Sequence, residues 1–308
     1  ITCSITGSIR AVQPWCIGAC ACLQPSNVVL YTDYIFWKVY GILYFIPFVF
    51  GLMSKIAVFD SGLGGLTVLS ALRKELPGED YIYYGDSANA PYGDKTPEEL
   101  LKLNTQVCTR LLEADDIKCF VIACNTTTSE TLDKLIKVFP EHDFIGIEPA
   151  VAWAVKEHPG EHVLVLATTA TINGKRLRKR LKELNDKAEI TALAAPGIVP
   201  FVENEKTGSE EFLSYLKELL APYKKDTDAV VLGCTHFPFV KAQLKKCFDK
   251  DISFYDAASL VAKETKELLS KKGRLYVGAA DSAAGSVTFL NSDTSKIELE
   301  EKLLNEYK

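Results

Sequence analysis

The chain has 308 residues, a formal net charge of −5, 47% hydrophobic and 24% charged side chains. That is length for two domains of about 150 residues each and an ordinary globular composition. An acidic balance without any basic block argues against nucleic acid or an anionic membrane surface as a partner. It leaves a small anionic ligand open, because helix N-termini bind anions whatever the net charge.

Residues 1–52 stand apart. Arg10, Asp33 and Lys38 are their only charged side chains, and the single Met of the chain, Met53, directly precedes the first clear strand pattern. Val39 to Met53 is uncharged but contains Pro47, and it is shorter than the roughly 20 residues a spanning helix needs. No basic n-region or small-residue cleavage site supports a signal peptide. The segment is expected to be non-native or translated upstream sequence, with a membrane anchor as the alternative. An ordered extra domain lacks a supporting period of 3.6 or 2.

From Met53 the pattern is regular. Ile56–Phe59 reads as a strand, Asp60-Ser61-Gly62-Leu63-Gly64-Gly65 as a loop, and Leu66–Leu72 as a helix. Tyr81–Tyr84 is a second strand ending in Gly85-Asp86, followed by a loop with Pro91-Tyr92-Gly93 and a helix from Glu98 to Leu112. Cys119–Ala123 is a strand leading to Cys124, residues 129–138 a helix, and Phe144–Ile147 a strand. The alternation then restarts. Val163–Leu166 leads to Thr168-Thr169-Ala170-Thr171 and a Lys/Arg-rich helix through Leu184. Ile190–Ala194 is a strand, 209–220 a helix, and Val230–Gly233 the strand that delivers Cys234. A helix over 259–271 and a short strand with a final helix in 274–308 complete the chain. Ile56 and Val163 lie 107 positions apart, and Cys124 and Cys234 lie 110 apart. Such offsets mark a repeat of domain size.

The alternation predicts an α/β fold of two pseudo-symmetric domains, each a mostly parallel sheet flanked by helices. Residues 53–147 with about 260–308 form one domain and 148–259 the other, with an active site in the cleft between them. Ligands of open α/β sheets sit at the carboxyl ends of the strands, which is where both Cys124 and Cys234 fall.

The glycine loop at 60–65 admits several readings. Gly62 and Gly64 fit the start of a dinucleotide fingerprint, but Thr67 stands where its last glycine belongs, and no Gly-Lys-Ser/Thr makes a P-loop. Asp60 at the loop start repels phosphate. A tight strand-to-helix turn without a ligand is the plain alternative.

Nine cysteines, four of them in the first 22 residues, form an odd and scattered set. They read as free thiols of a reducing, cytoplasmic compartment and not as a disulfide framework. Cys20-Ala21-Cys22 is too closely spaced for a zinc pair, and no metal site is expected. Cys108, Cys119 and Cys247 read as small core hydrophobes. Cys124 and Cys234 are different, being paired by the repeat and flanked by Asn125-Thr126 and Thr235-His236. A thiolate is a base and a thiol an acid. One of each on opposite faces of a carbon removes a proton from one side and returns one to the other, inverting a stereocentre. His236 is placed to assist Cys234, and Asp60 to assist Cys124 from the neighbouring loop. The threonine turns read as helix caps or as binders of a carboxylate.

Asp60-Ser61-Gly62-x-Gly64-Gly65, Tyr84-Gly85-Asp86 with Pro91-Tyr92-Gly93, Ala123-Cys124-Asn125-Thr126, Val199-Pro200-x-Val202-Glu203 and Gly233-Cys234-Thr235-His236-Phe237-Pro238 together resemble the glutamate racemase family. They stand in that family's order and cover the chain from Met53 nearly to its end. The resemblance implies a cofactor-independent, two-base racemase joining L- and D-glutamate and supplying D-glutamate for peptidoglycan. It implies a cytoplasmic protein and a homodimer. It assigns Cys124 and Cys234 as the bases, with Asp60 assisting the first and Glu203 and His236 the second. Ser61, Tyr92, Gly93, Asn125, Thr126, Thr168, Thr171 and Thr235 match substrate-holding positions. Ala195-Pro196-Gly197 departs from the Cys-Pro often found before the Val-Pro run, and residues 1–52 have no counterpart. A racemase of aspartate and a non-catalytic two-lobed amino-acid-binding protein are the alternatives. A thiol hydrolase using Cys234 and His236 alone leaves Cys124 idle.

Overall fold

In the computed structural model, residues 54–276 and 284–306 are described, all within one compact unit. The expected origin of residues 1–52 lies outside the described residues.

Two wholly parallel sheets form the frame. The first holds β1 (Lys55–Asp60), β2 (Tyr81–Gly85), β3 (Ile117–Ile122), β4 (Phe144–Gly146) and a late strand, β9 (Val287–Asn291), in the order β4-β3-β1-β2-β9. The second holds β5 (His162–Ala167), β6 (Glu189–Ala194), β7 (Ala229–Gly233) and β8 (Ser253–Tyr255), in the order β8-β7-β5-β6. The two orders match strand for strand, so the repeat visible in the sequence is a repeat of topology, and β9 is an addition to the first sheet alone. Every residue of β2, β3 and β7 is buried, as expected of parallel strands covered on both faces, which read as unbroken apolar runs.

Helices follow the strands in turn. They are α1 (Leu66–Glu75), α2 (Pro97–Ala114), α3 (Asn125–Val138), α4 (Val151–Glu157), α5 (Thr169–Asn173), α6 (Lys175–Leu184), α7 (Ile198–Glu203), α8 (Glu210–Leu220), α9 (Lys241–Lys245), α10 (Ala258–Lys271) and α11 (Ile297–Glu306). Local chemistry fixes several ends. Thr96 and Glu99 close a capping box at α2, with Pro97 at its first position, satisfying otherwise orphaned N–H groups. Ser209 caps α8 by accepting from Phe212 N.

The faces of the sheets pair off into cores. Ala57, Phe59, Ile82, Phe120 and Ile122 pack under α2. Leu164, Leu166, Val230 and Leu232 pack against α7 and α8. The opposite faces share one continuous core, in which Ile56, Val58, Tyr83 and Val121 of the first sheet join Val163, Val165 and Val231 of the second through α1, α4 and α10. The halves thus meet along an apolar seam that leaves the carboxyl ends of the strands facing one another. Among the described residues no helix is long and apolar enough to cross a membrane.

Candidate active site

Four strand ends converge on one cavity. β1 ends at Asp60, β3 runs through Ala123 to Cys124, β5 leads to Thr168, and β7 to Cys234. Around them lies a cavity lined by Ser61, Tyr92, Gly93, Cys124, Asn125, Thr126, Thr168, Cys234, Thr235 and His236, with Pro91, Asp94, Thr169, Pro196 and Val199. Of the residues expected from the sequence, Asp60, Glu203 and Thr171 stand behind this lining and reach the cavity through the side chains they hold.

Cys124 occupies the N-cap position of α3 in an extended conformation, so the helix starts four residues earlier than its apolar pattern indicated and Thr126 to Thr128 form its first turn. Its Sγ lies 3.8 Å from Ser61 Oγ. Burial, and next the negative charge of Asp60, push the Cys124 thiol up to about 12 against the opposing effect of hydrogen bonds at Thr127. Asp60 is itself fully buried. It accepts from Gly65 N at 2.5 Å and from Thr235 Oγ1 at 3.3 Å, and burial raises its carboxyl above the usual range, with His236 pulling the other way.

The Cys234 side is built differently. Cys234 Sγ lies 3.8 Å from His236 Nδ1, and His236 Nε2 lies 2.5 Å from Glu203 Oε1. Burial disfavours a charged ring here, yet the hydrogen bonds to Cys234 and to Glu203 outweigh it and raise His236 well above its ordinary value. The direction favours a protonated ring between the Cys234 sulfur and the Glu203 carboxylate.

The glycine loop joins these two sides. A Cβ at Gly62 would stand 2.0 Å from Glu203 Oε1, and one at Gly64 would stand 2.4 Å from His236 Nδ1 and 2.5 Å from Thr235 Oγ1. The glycines are needed so that the second half can press its Glu203, Thr235 and His236 against the backbone of the first. Two of the loop N–H groups go to carboxylates of the protein, Gly65 N to Asp60 and Leu63 N to Glu203 Oε1 at 2.7 Å. They do not form a phosphate cradle, and the dinucleotide reading falls away.

Hydroxyls line the remaining wall. Thr126 Oγ1 and Thr168 Oγ1 are 2.9 Å apart across the two halves, Thr168 Oγ1 donates to Thr171 Oγ1 at 2.9 Å, and Thr171 N donates to Thr168 Oγ1 at 3.2 Å, so Thr168 is also the cap of α5. Asn125 Nδ2 reaches Ile147 O at 3.5 Å while its buried Oδ1 meets no partner among the described residues. Tyr92 is buried and donates to Asp86 Oδ2 at 2.5 Å. Asp86 was visible only as part of a motif, and its holding of Tyr92 depends on a turn no sequence period describes. Pro196 and Val199 enter the cavity wall because 198–203 is a helix, a short one that Pro200 disguises.

A sequence profile of the Asp/Glu/hydantoin racemase family matches residues 65–265. The glutamate racemase of Clostridium botulinum (strain Alaska E43 / Type E3) is 38% identical over 252 residues, covering 81% of this chain and 96% of that one. The chain belongs to the Asp/Glu/hydantoin racemase family, among its glutamate racemases. Solved structures of the family have the same architecture. The Escherichia coli glutamate racemase, in complex with L-glutamate and the activator UDP-MurNAc-ala, superposes with a TM-score of 0.71 at 28% identity over 83% of this chain and 95% of that one. The enzyme of Francisella tularensis subsp. tularensis SCHU S4, in complex with D-glutamate, gives 0.69 at 27% identity over 82% and 94%. The profile match begins after β1 and ends inside α10, so β1 at one end and β9 and α11 at the other lie outside it.

Proposed function

We propose that the chain is a cofactor-independent racemase that interconverts L- and D-glutamate with Cys124 and Cys234 as its two proton-transfer groups. The observation that carries this reading is the pair of buried cysteines at equivalent strand ends of two equivalent half-folds, both lining one cavity. Glutamate as substrate is supported by the E. coli and F. tularensis relatives, which hold L- and D-glutamate respectively.

The reaction follows from the arrangement. Glutamate lies between the cysteines with its α-carboxylate and amino group among Ser61, Asn125, Thr126, Thr168 and Thr235. The N-terminus of α3 and the threonine hydroxyls favour a carboxylate there. One cysteine, as thiolate, takes the α-proton. The carbanion formed is held by the hydrogen bonds to its carboxylate, and the opposite thiol delivers its own proton to the other face. Product release leaves the protonation of the two cysteines exchanged, and the reverse reaction restores it. The imidazolium of His236, backed by Glu203, offers a counter-charge to a thiolate at Cys234. Asp60, behind Ser61, keeps Cys124 a thiol until the substrate's ammonium group enters. D-Glutamate formed this way supplies peptidoglycan synthesis.

The test is to follow L- and D-glutamate by circular dichroism with purified protein and no added cofactor, then to repeat it with Cys124→Ala and Cys234→Ala. Each single variant should lose racemisation in both directions by roughly 10⁴-fold or more, because inversion needs an acid and a base together. Each variant should still exchange the α-proton of one enantiomer with solvent deuterium. Near-parent racemisation by Cys124→Ala would leave a one-cysteine mechanism on Cys234 and His236. Equal turnover of aspartate would move the substrate assignment, since a site that hydrogen-bonds a distal carboxylate should reject a misplaced one strongly.

A further inference from the structure

Behind the Cys234 side lies a buried carboxyl that the reaction as described does not use. Glu300, on α11, is fully buried. Its Oε1 accepts from Asn291 Nδ2 at 2.6 Å, and its Oε2 is buried without a hydrogen-bond partner among the described residues. Asn291 is placed by the β2–β9 register, which sets it beside Gly85, and the same amide reaches Ser87 Oγ at 3.1 Å. Gly85 is where this carboxyl meets the active-site loop. A Cβ there would stand 2.3 Å from Glu300 Oε1, 2.5 Å from Asn291 Nδ2 and 3.2 Å from Gly62 O. The other side of Gly62 is the one pressed against Glu203. Gly62 O is held by Tyr83 Oη at 2.6 Å. The segment that carries Glu300 also touches Glu203 directly, through Lys296 Nζ donating to Glu203 O at 2.8 Å.

We propose that Glu300 is a positioning residue for the Cys234 side, packed beneath the Gly62–Gly85 crossing so that the loop stays closed on Glu203 and His236. The proposal rests on the two-thiol reading of the site. Three carboxyls, Glu300, Glu203 and Asp60, converge on this loop from α11, α7 and the end of β1. Two of them are used as charges next to His236 and Cys124. A third charge would repel both across a dry, low-dielectric wall and strain the loop that the two halves share. An uncharged carboxyl fills the same space and satisfies Asn291 without that repulsion. The groups acting on Glu300 are Glu203 from α7, Asp60 from β1, Tyr83 from β2 and Glu301 from α11 itself, with Lys296 and Lys302 the cations on the same segment. Burial first, eased by the Asn291 hydrogen bond and reinforced by the acidic neighbours, raises Glu300 to about 8.

The experiment uses the full chain and Glu300→Gln, which copies the neutral form. At pH 7 the variant should racemise glutamate within about twofold of the parent. Between pH 7 and pH 9 the parent should lose activity by roughly threefold or more relative to the variant, as Glu300 ionises. Stability gives a second reading. A carboxyl whose folded pKa is raised costs stability as pH climbs from its unfolded value toward its folded one. The melting temperature of the variant should therefore gain on the parent from about pH 5 to pH 8 and then hold a constant lead. If Glu300→Gln does not fold, carbon-13 spectra of carboxyl-labelled parent must still show one glutamate titrating near pH 8. Superimposable pH–rate profiles together with a pH-independent gap in melting temperature would overturn the proposal. So would the absence of a glutamate titrating in that range. Loss of racemisation by the parent itself would instead overturn the function on which it rests.

Discussion

The two cysteines sit at equivalent points of matching half-folds, yet their surroundings are opposite in charge. Behind Cys124 stand a hydroxyl, Ser61, and a carboxylate, Asp60. Behind Cys234 stand an imidazole and then a carboxylate, His236 and Glu203. The repeat duplicated the strand, the small residue and the thiol but not the partner that tunes it. A racemase needs one acid and one base at any moment. A perfectly symmetric site would leave both thiols in the same state, whereas this one biases the proton toward Cys124 and places the cation beside Cys234. The substrate brings its own ammonium, the charge the Cys124 side lacks.

The sharpest way to break this arrangement is at the loop both sides share. Gly64→Ala puts a methyl 2.4 Å from His236 Nδ1 and 2.5 Å from Thr235 Oγ1, two buried side chains held in place by Glu203 and Asp60. Overpacking of this kind costs about 1–3 kcal/mol, and a displaced proton-transfer group loses more still in rate. Racemisation should fall by roughly 10³-fold or more while the thermal midpoint drops by only several degrees. A variant with parent activity would mean that the halves separate in the working enzyme and that the glycine contact is not part of the active arrangement.

Asp60→Asn and His236→Asn probe the two sides one at a time, with losses of about 10²–10⁴-fold expected. Steady-state efficiencies alone cannot distinguish them. L- and D-glutamate are equal in free energy, so any variant must have the same kcat/KM from either enantiomer. The asymmetry has to appear in kcat and KM separately and in the exchange half-reaction. Asp60→Asn should slow deuterium wash-in most for the enantiomer that gives its proton to Cys124. His236→Asn should slow it most for the other. If both variants slow both enantiomers alike, the two residues serve the cavity as a whole and not one thiol each.

Much of this is legible in the sequence, and the limits are physical. Strands β1, β2, β3, β5 and β7 announce themselves because buried parallel strands are unbroken apolar runs. The repeat offset pairs Cys124 with Cys234 because the two sheets share one strand order. β8 escaped notice because three residues with a single phenylalanine carry no period. α4 and α7 are one to two turns long, and α7 contains Pro200, which tolerates an early helical position but reads as a breaker. From its residues alone the glycine loop reads as a ligand loop or a tight turn. Its real cause, the approach of Glu203 and His236 from more than 130 residues away, is tertiary and leaves no local trace. Glu300 gave no signal either, since an acidic residue in a charged helix is expected at the surface and only the β9 register carries it inward.

The smallest expected effects lie in the two ways the halves are tied together outside the glycine loop. On the cavity side, Thr126 and Thr168 share a buried hydrogen bond at 2.9 Å, and Thr168 also caps α5. On the outer side, Arg176 of α6 bridges Asp133 of α3 and, at 2.9 Å, Glu148. Arg176 is about one-third exposed and Asp133 about three-quarters. Thr168→Val removes a cap and leaves Thr126 with a lost partner, so it should cost about 1–2 kcal/mol and raise KM for glutamate by roughly tenfold, since one lost hydrogen bond to a carboxylate is of that size. Arg176→Ala breaks two pairs that water already screens, and should cost less than about 1 kcal/mol with kcat and KM unchanged. Chemical denaturation and glutamate saturation curves for the two variants decide between them. If Arg176→Ala proves the more damaging, the outer ion pairs and not the threonines hold the cavity in register, and the halves would be clamped from the back of the cleft.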